Sequence, residues 1–169
     1  MPTGLKPASS TIMISEKLQE SAANTFTEAT VSLPLNTLDR EVFVVLAIDI
    51  DVSAPDLDAA LNTTMSASVS TTSRSGVGTI GNSNVLAVKY RDIKRTAAAG
   101  DAVAFEGAFG EAPVGDVEYL GIIATEDFFI QAKGTNNAAA KYANVRLWGY
   151  RATASADVYA ALVQSELLS

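Results

Sequence analysis

The stretch Glu41–Val52 reads EVFVVLAIDIDV, and its period decides the fold class. Val42, Val44, Leu46, Ile48, Ile50 and Val52 recur at every second position, with Phe43, Val45, Ala47, Asp49 and Asp51 between them. A period of two is the signature of an extended strand whose side chains alternate between two faces. Both faces are apolar over the first half, and one turns acidic at Asp49. The strand is therefore expected to be buried on both sides early and on one side later.

The same period recurs on either side of this run. Residues 27–35 (TEATVSLPL) put Ala29, Val31, Leu33 and Leu35 on one face, and Pro34, which cannot donate to a ladder, marks a strand end or an edge. Leu38, Asp39 and Arg40 form a turn. Residues 53–62 (SAPDLDAALN) read as a loop, with a helical turn started by Pro55. Residues 63–71 set Met65, Ala67 and Val69 against Ser66, Ser68 and Ser70, a strand with one wet face. After a Ser- and Gly-rich loop, 72–83, comes a strand over 84–90 followed by the polar tract RDIKR. Gly100 and Asp101 signal a turn. Val103, Phe105, Gly107 and Phe109 alternate in a fifth strand, and Pro113 and Gly115 mark the next turn. Residues 117–124 and 127–133 are expected to form a hairpin around Thr125 and Glu126. Residues 142–152 are the eighth strand.

The two ends differ from this pattern. Residues 1–24 carry Pro2, Pro7 and one short apolar patch, Ile12 to Ile14, and read as an arm that is ordered by docking. Residues 25–169 read as one domain. It closes on a short amphipathic helix, about 155–168, with Ser155 as N-cap and Asp157 in the first turn. Val158, Tyr159, Leu162, Val163 and Leu167 form its apolar stripe. Eight strands without interleaved helices imply an all-β antiparallel sandwich or barrel, and eight is the jelly-roll number.

Composition restricts the chemistry. Of 169 residues 48% are apolar, enough for a full core, yet no apolar run is long enough to span a bilayer. The N-terminus lacks the basic and apolar regions of a secretory signal. There is no histidine and no cysteine, which removes the usual general base, the commonest metal ligand and the thiol nucleophile. The net charge of −7 disfavours a phosphate-binding groove. An enzyme built from this chain would have to rely on carboxylates, Lys or Tyr, and no constellation of these stands out. No catalytic residue and no cofactor are expected.

The order of elements, with the segments EVFVVLAIDIDV, EYLGIIATEDFFIQAKG and ANVRLWGYRATASADVYAALVQSELLS, resembles the single jelly-roll capsid proteins of small icosahedral viruses, and the texture is similar to that of capsid-like proteins of marine viruses. The resemblance covers roughly residues 25–169. It implies a virion protein that self-assembles into a shell through arm, sheet-edge and helix contacts. It also implies two four-stranded sheets, with strands one, eight, three and six in one and two, seven, four and five in the other. Such coat proteins often carry a basic arm. This one has only Lys6 and Lys17, offset by Glu16 and Glu20, which argues against direct nucleic-acid binding. It fits a shell lined by an internal membrane or a second coat protein. The alternative is a lectin-like or receptor-binding β-sandwich module on a larger particle.

Four sets of residues are candidates for function. Asp49, Asp51, Asp56 and Asp58 gather acidic oxygens suited to a structural Ca2+, although Ala54 and Ala60 stand where an EF-hand has Gly and Glu. Gly76, Gly78 and Gly81 have the G-x-G-x-x-G spacing but follow a polar run rather than a buried strand, so an inter-strand loop is the reading. Lys89, Arg91, Lys94 and Arg95 are the one basic cluster, expected to be salt-bridged or to face an acidic neighbouring subunit. Apolar groups expected to meet neighbouring copies in a homo-oligomer are Phe128 or Phe129, which point to opposite faces, Trp148 and Tyr150, and Tyr159, Leu162 and Val163 of the helix.

Overall fold

The computed structural model describes residues 4–96, 101–113 and 115–168. Gly100, expected in a turn, and the side chain of Leu167, expected on the helix stripe, lie outside the described residues. The chain forms two antiparallel sheets that pack face to face, with one C-terminal helix. The ten strands among the described residues are β1 (Leu5–Pro7), β2 (Ile12–Gln19), β3 (Thr27–Ser32), β4 (Glu41–Val52), β5 (Thr63–Ser70), β6 (Val85–Arg95), β7 (Ala102–Phe109), β8 (Gly121–Ile123), β9 (Asp127–Thr135) and β10 (Tyr142–Ala154); the helix is α1 (Ala156–Leu167). The first sheet runs β1 and β2 beside β10, then β4, then β8. The second runs β3-β9-β5-β6-β7.

The expected arm is part of the first sheet. β2 pairs with β10 from Gln19 opposite Tyr142 to Ile12 opposite Gly149, and β1 continues along the same edge opposite Ala152 to Ala154. Leu18 and Leu5 are buried there. Glu20, also buried, accepts the backbone N–H groups of Gly134 (2.7 Å) and Lys141 (2.8 Å), fixing the end of β2. These two strands shift the count, so the pairing order expected from Thr27 onward is not found. Counted that way, the first strand (β3) pairs with the seventh (β9), and the eighth (β10) with the second (β4).

The central run departs from simple alternation. A register shift places Trp148 opposite Ala47 but Gly149 opposite Val45, so β4 has one extra residue at Leu46. Such a bulge inverts which face the following residues occupy. Phe43 and Val45 therefore join Ile48, Ile50 and Val52 between the sheets. Val42 and Val44 point outward and are buried under α1, with Leu5, Ala152 and Ala154. The single apolar face expected from Val42 to Val52 is thus split between two cores.

Other expectations are corrected locally. No helical turn begins at Pro55; among the described residues the one short helical turn is a 3-10 turn at Thr37–Asp39. The RDIKR tract continues β6 and pairs with β5 and β7. The 117–124 and 127–133 segments do not make a hairpin: β8 pairs with β4 in one sheet and β9 with β3 and β5 in the other. Thr125 and Glu126 carry the chain across the sandwich, without the Gly or Asn-Gly pair that favours a tight hairpin. The expected wet face of β5 is covered, since Ser68 and Ser70 are fully buried.

α1 lies on the outer face of the first sheet. Val158, Tyr159, Leu162 and Val163 pack on Val42, Val44, Tyr150 and Ile122. Ser155 occupies the cap position in extended conformation but makes no side-chain cap bond; its N–H donates to the Gly4 carbonyl (2.9 Å). Near the other end the Glu166 carboxylate accepts the Ala124 N–H (3.0 Å), and burial pushes its carboxyl above the usual range.

Candidate functional site

α1 covers only half of the outer face of the first sheet. The uncovered half is built by strand alternation: Lys17, Asn144 and Asp51 lie in one cross-strand row, Ser15, Arg146 and Asp49 in the next, and Met13, Trp148 and Ala47 in the third. Together with Glu16 and Val145, the first two rows line a shallow groove of about 510 Å3. The Arg146 guanidinium lies 5.8 Å from the Trp148 ring centre, and the Lys17 ammonium 4.5 Å from that of Tyr142. Asn144 donates to Asp51 (3.4 Å). The groove thus offers carboxylates, an amide and two cations stacked on aromatic faces. Such a set suits a polyhydroxylated or zwitterionic ligand.

The four candidate aspartates do not converge. Asp49 and Asp51 project from the outer face of β4. Asp56 is turned away, accepting from the Lys141 ammonium and the Ala138 N–H (2.9 Å). Asp58 accepts the N–H groups of Ala60 (2.7 Å) and Leu61 (2.9 Å) and stabilises its own loop. Among the described residues no three acidic side chains are grouped so as to hold a metal ion.

The Lys141 bond, then the Ala138 N–H, hold the Asp56 carboxyl below its ordinary 3.8. A depressed folded-state pKa contributes stability that is present above the unfolded value and lost as pH falls through the folded one. The Asp56 side chain is 39% exposed, so solvent screening limits the pair to about 1 kcal/mol. Asp56→Asn is expected to lower the unfolding free energy from urea titration by that amount at neutral pH and to leave it unchanged well below pH 3.8. Equal losses at both pH values would refute the assignment.

The basic cluster is internally engaged. Lys89 and Arg91 lie on the inner face of β6, where Met65 and Ala67 stand beside them. Arg91 meets Glu106 (3.0 Å) and Asp51 (3.7 Å) and donates to the Val52 carbonyl; Lys89 meets Glu106 (3.1 Å) and Glu111 (3.4 Å). Lys94 pairs with Asp92 (3.4 Å), and Arg95 donates to the Asp58 carbonyl. The guanidinium of Arg91, then Lys89, hold the Glu106 carboxyl below its usual range.

The glycine-spaced loop folds onto the outer face of the second sheet. Gly78 N–H donates to Ser68 Oγ (2.8 Å), and Glu28 accepts from Ser73 Oγ (2.6 Å) and the Arg74 N–H (2.8 Å). Gln131, fully buried, accepts from Ser68 (2.8 Å) and donates to Ser70 (2.8 Å) and Glu28 (2.9 Å). This network is what buries the serines. β6 follows the loop, so no helix N-terminus faces its amides, as a dinucleotide fingerprint would require.

The apolar residues expected at interfaces are mostly used within the chain. Phe128 is fully buried between the sheets, and Phe129 is half-buried on the opposite face. Tyr159, Leu162 and Val163 of α1 pack with Tyr150 against the outer face of the first sheet. Trp148 alone stays at the open face, half-buried beside Arg146. Met13 (54%) is exposed beside it, and a separate group of exposed apolar side chains lies on β7, where Val103 (51%), Phe105 (53%) and Phe109 (44%) all point from one face. Their alternation was legible in the sequence. Their exposure was not, because it depends on which strand ends a sheet. Neither the protein-family models nor the curated proteins contain a match to this chain.

Proposed function

We propose that this chain is a structural subunit of a closed protein shell, a single jelly-roll capsid protein of an icosahedral virus particle. The observation that carries the reading is the strand order. Set β1 and β7 aside and count the remaining eight strands in chain order. One sheet then holds the first, eighth, third and sixth (β2-β10-β4-β8), and the other the second, seventh, fourth and fifth (β3-β9-β5-β6). That is the membership and order that the resemblance implies. The exposed apolar edge at β7 adds a surface suited to a neighbour. The partners of this reading are further copies in a homo-oligomer, with an internal membrane or a second coat protein beneath them. Lys89, Arg91, Lys94 and Arg95 are engaged within the chain, which supports a shell whose subunits do not bind nucleic acid directly through them.

Fold alone does not decide function, and the open groove supports a second reading. Its carboxylates, amide and aromatic-stacked cations fit a receptor- or glycan-binding module of the same architecture. Light scattering across protein and salt concentration, followed by negative-stain electron microscopy, separates the two. Closed particles or capsomer-sized rings are expected. A species that stays monomeric at the highest concentrations, and binds glycans in an Asp51- and Trp148-dependent manner, would replace the shell with the module.

A further inference from the structure

Strand β7 is an overhanging flange. It ends its sheet, pairing with β6 on one side and with no strand on the other among the described residues. It is also uncovered on both faces: every residue from Ala102 to Phe109 is exposed except Gly107, which lies against the Tyr90 ring. The first sheet is too narrow to reach it, since that sheet ends in the three residues of β8. β7 is therefore held to the monomer mainly by its hydrogen bonds to β6.

A free sheet edge is a template for pairing with another strand, and soluble proteins protect such edges with short strands, charges or proline. The other edges here have those devices. β8 and β1 are three residues long, β2 carries Glu16 and Lys17, and β3 carries Glu28 and leads into Pro34. β7 has eight residues, AVAFEGAF, with no Lys, Arg or Pro. Its single charge, Glu106, is already neutralised by Arg91 (3.0 Å) and Lys89 (3.1 Å) of its own chain.

We propose that β7 is a homotypic joint: two copies of the chain pair their β7 edges antiparallel about a two-fold axis, making one continuous ten-stranded sheet from two five-stranded ones. The occupant is a second copy because the strip is its own complement. Antiparallel pairing of identical strands is two-fold symmetric, and an isologous contact closes on itself. The chain's net charge of −7 repels copies generally, but at this edge it is cancelled locally, so two Glu106 residues meet without opposing free charges. Phe105, Val103 and Phe109 then meet their symmetry mates on one face, while the alanines of the other leave room for close approach. A joint of one strand pair lies at the low end of specific interfaces, below roughly 1,200 Å2, so it holds at high local concentration. This deepens the shell reading by naming one of the edges that joins subunits.

The absence of native cysteine makes the test direct. Single-cysteine variants Ala102→Cys, Ala104→Cys, Phe105→Cys and Ala108→Cys of the full chain are oxidised by dissolved oxygen with a copper catalyst, with Thr11→Cys as an exposed control. A disulfide needs Cβ atoms about 3.5–4.5 Å apart, so an antiparallel pair links best at the site facing itself. At least one β7 variant is expected to form covalent dimer ten-fold faster than the control, and adding Val103→Lys should abolish this without changing the circular dichroism spectrum. Dimer formation at the control rate in all four variants overturns the joint. Light scattering on the uncrosslinked chain reports separately on the shell: particles without β7 cross-links leave the shell and remove the joint, and cross-links without particles do the reverse.

Discussion

A chain beginning at residue 21 is expected to lose cooperative folding, although residues 1–24 read in sequence as an arm ordered only by docking. Deleting β1 and β2 removes Leu5 and Leu18 from the core, each worth about 1.5–3 kcal/mol of burial. It strips the Glu20 carboxylate from the N–H groups of Gly134 and Lys141, at about 1–3 kcal/mol for each donor left unpaired. It also bares the edge of β10 from Tyr142 to Ala154. The sum of roughly 5–12 kcal/mol matches the whole net stability of a typical domain, about 5–15 kcal/mol. Urea titration followed by circular dichroism would decide it. A truncated chain with an unchanged midpoint would return these residues to the status of an arm. Glu20→Ala alone isolates the polar part and is expected to cost about 2–6 kcal/mol in the same titration.

The strands of residues 5–19 are hidden in the sequence for a physical reason. Ile12, Ile14 and Leu18 do fall at period two, but Glu16 interrupts the apolar face. Glu16 is tolerated because β2 lies at the sheet's edge, where that position stays exposed beside the groove. An edge strand carries charge where a central strand cannot, so its signal is weaker than that of β4 or β5. The polar face of β5 failed in the opposite direction. Ser66, Ser68 and Ser70 look solvated because hydroxyls are usually wet. Here Gln131 and Gly78 satisfy Ser68, and Ser70 bonds both Gln131 and the Thr72 carbonyl (2.7 Å). Burial becomes tolerable once each polar group has a partner, and those partners are distant in sequence. The hairpin failed because short strands with one apolar face fit either sheet, and only long-range pairing chose between them.

Much was legible nonetheless. The class of fold, the strands over β4, β5, β9 and β10, and the terminal helix with its apolar stripe all follow from period alone. The site residues were less so. Trp148 and Tyr150 alternate onto one face of β10 in the sequence, but period alone does not tell that α1 covers Tyr150 and stops short of Trp148. The four aspartates are neighbours in sequence, yet the chain leaves the sheet after Val52 and turns Asp56 toward Lys141, so their side chains part. Proximity in sequence held the oxygens together only on paper.

The bulge at Leu46 is the feature on which both cores depend, and Gly149 is where it can be broken. Gly149 sits across from it on β10, with the Phe43 ring and the Val44 carbonyl packed where a Cβ would be. The carbonyl belongs to the backbone of β4, which is paired with β10 and cannot rotate aside as a side chain could. Gly149→Ala therefore has to push β4 away or undo the bulge. Undoing the bulge would reverse the alternation, driving Val42 and Val44 into the inter-sheet core and Phe43 and Val45 out under α1. The expected cost is about 3 kcal/mol, the upper part of the usual range for overpacking, because backbone rather than a flexible tip opposes the methyl. For a chain of this size that corresponds to a fall in Tm of roughly 6–12 °C. Trp148, the one tryptophan, adjoins Gly149 and reports directly on this strand pair. Its emission should shift in the variant while the native protein is still folded. Combining Gly149→Ala with Phe43→Leu should recover part of the loss, giving a coupling energy of about 1 kcal/mol, and the unrecovered part measures the clash with the carbonyl. An unchanged midpoint in Gly149→Ala would mean that the bulge does not need glycine beside it, and the division of β4 between two cores would then have to rest on the packing of α1 alone.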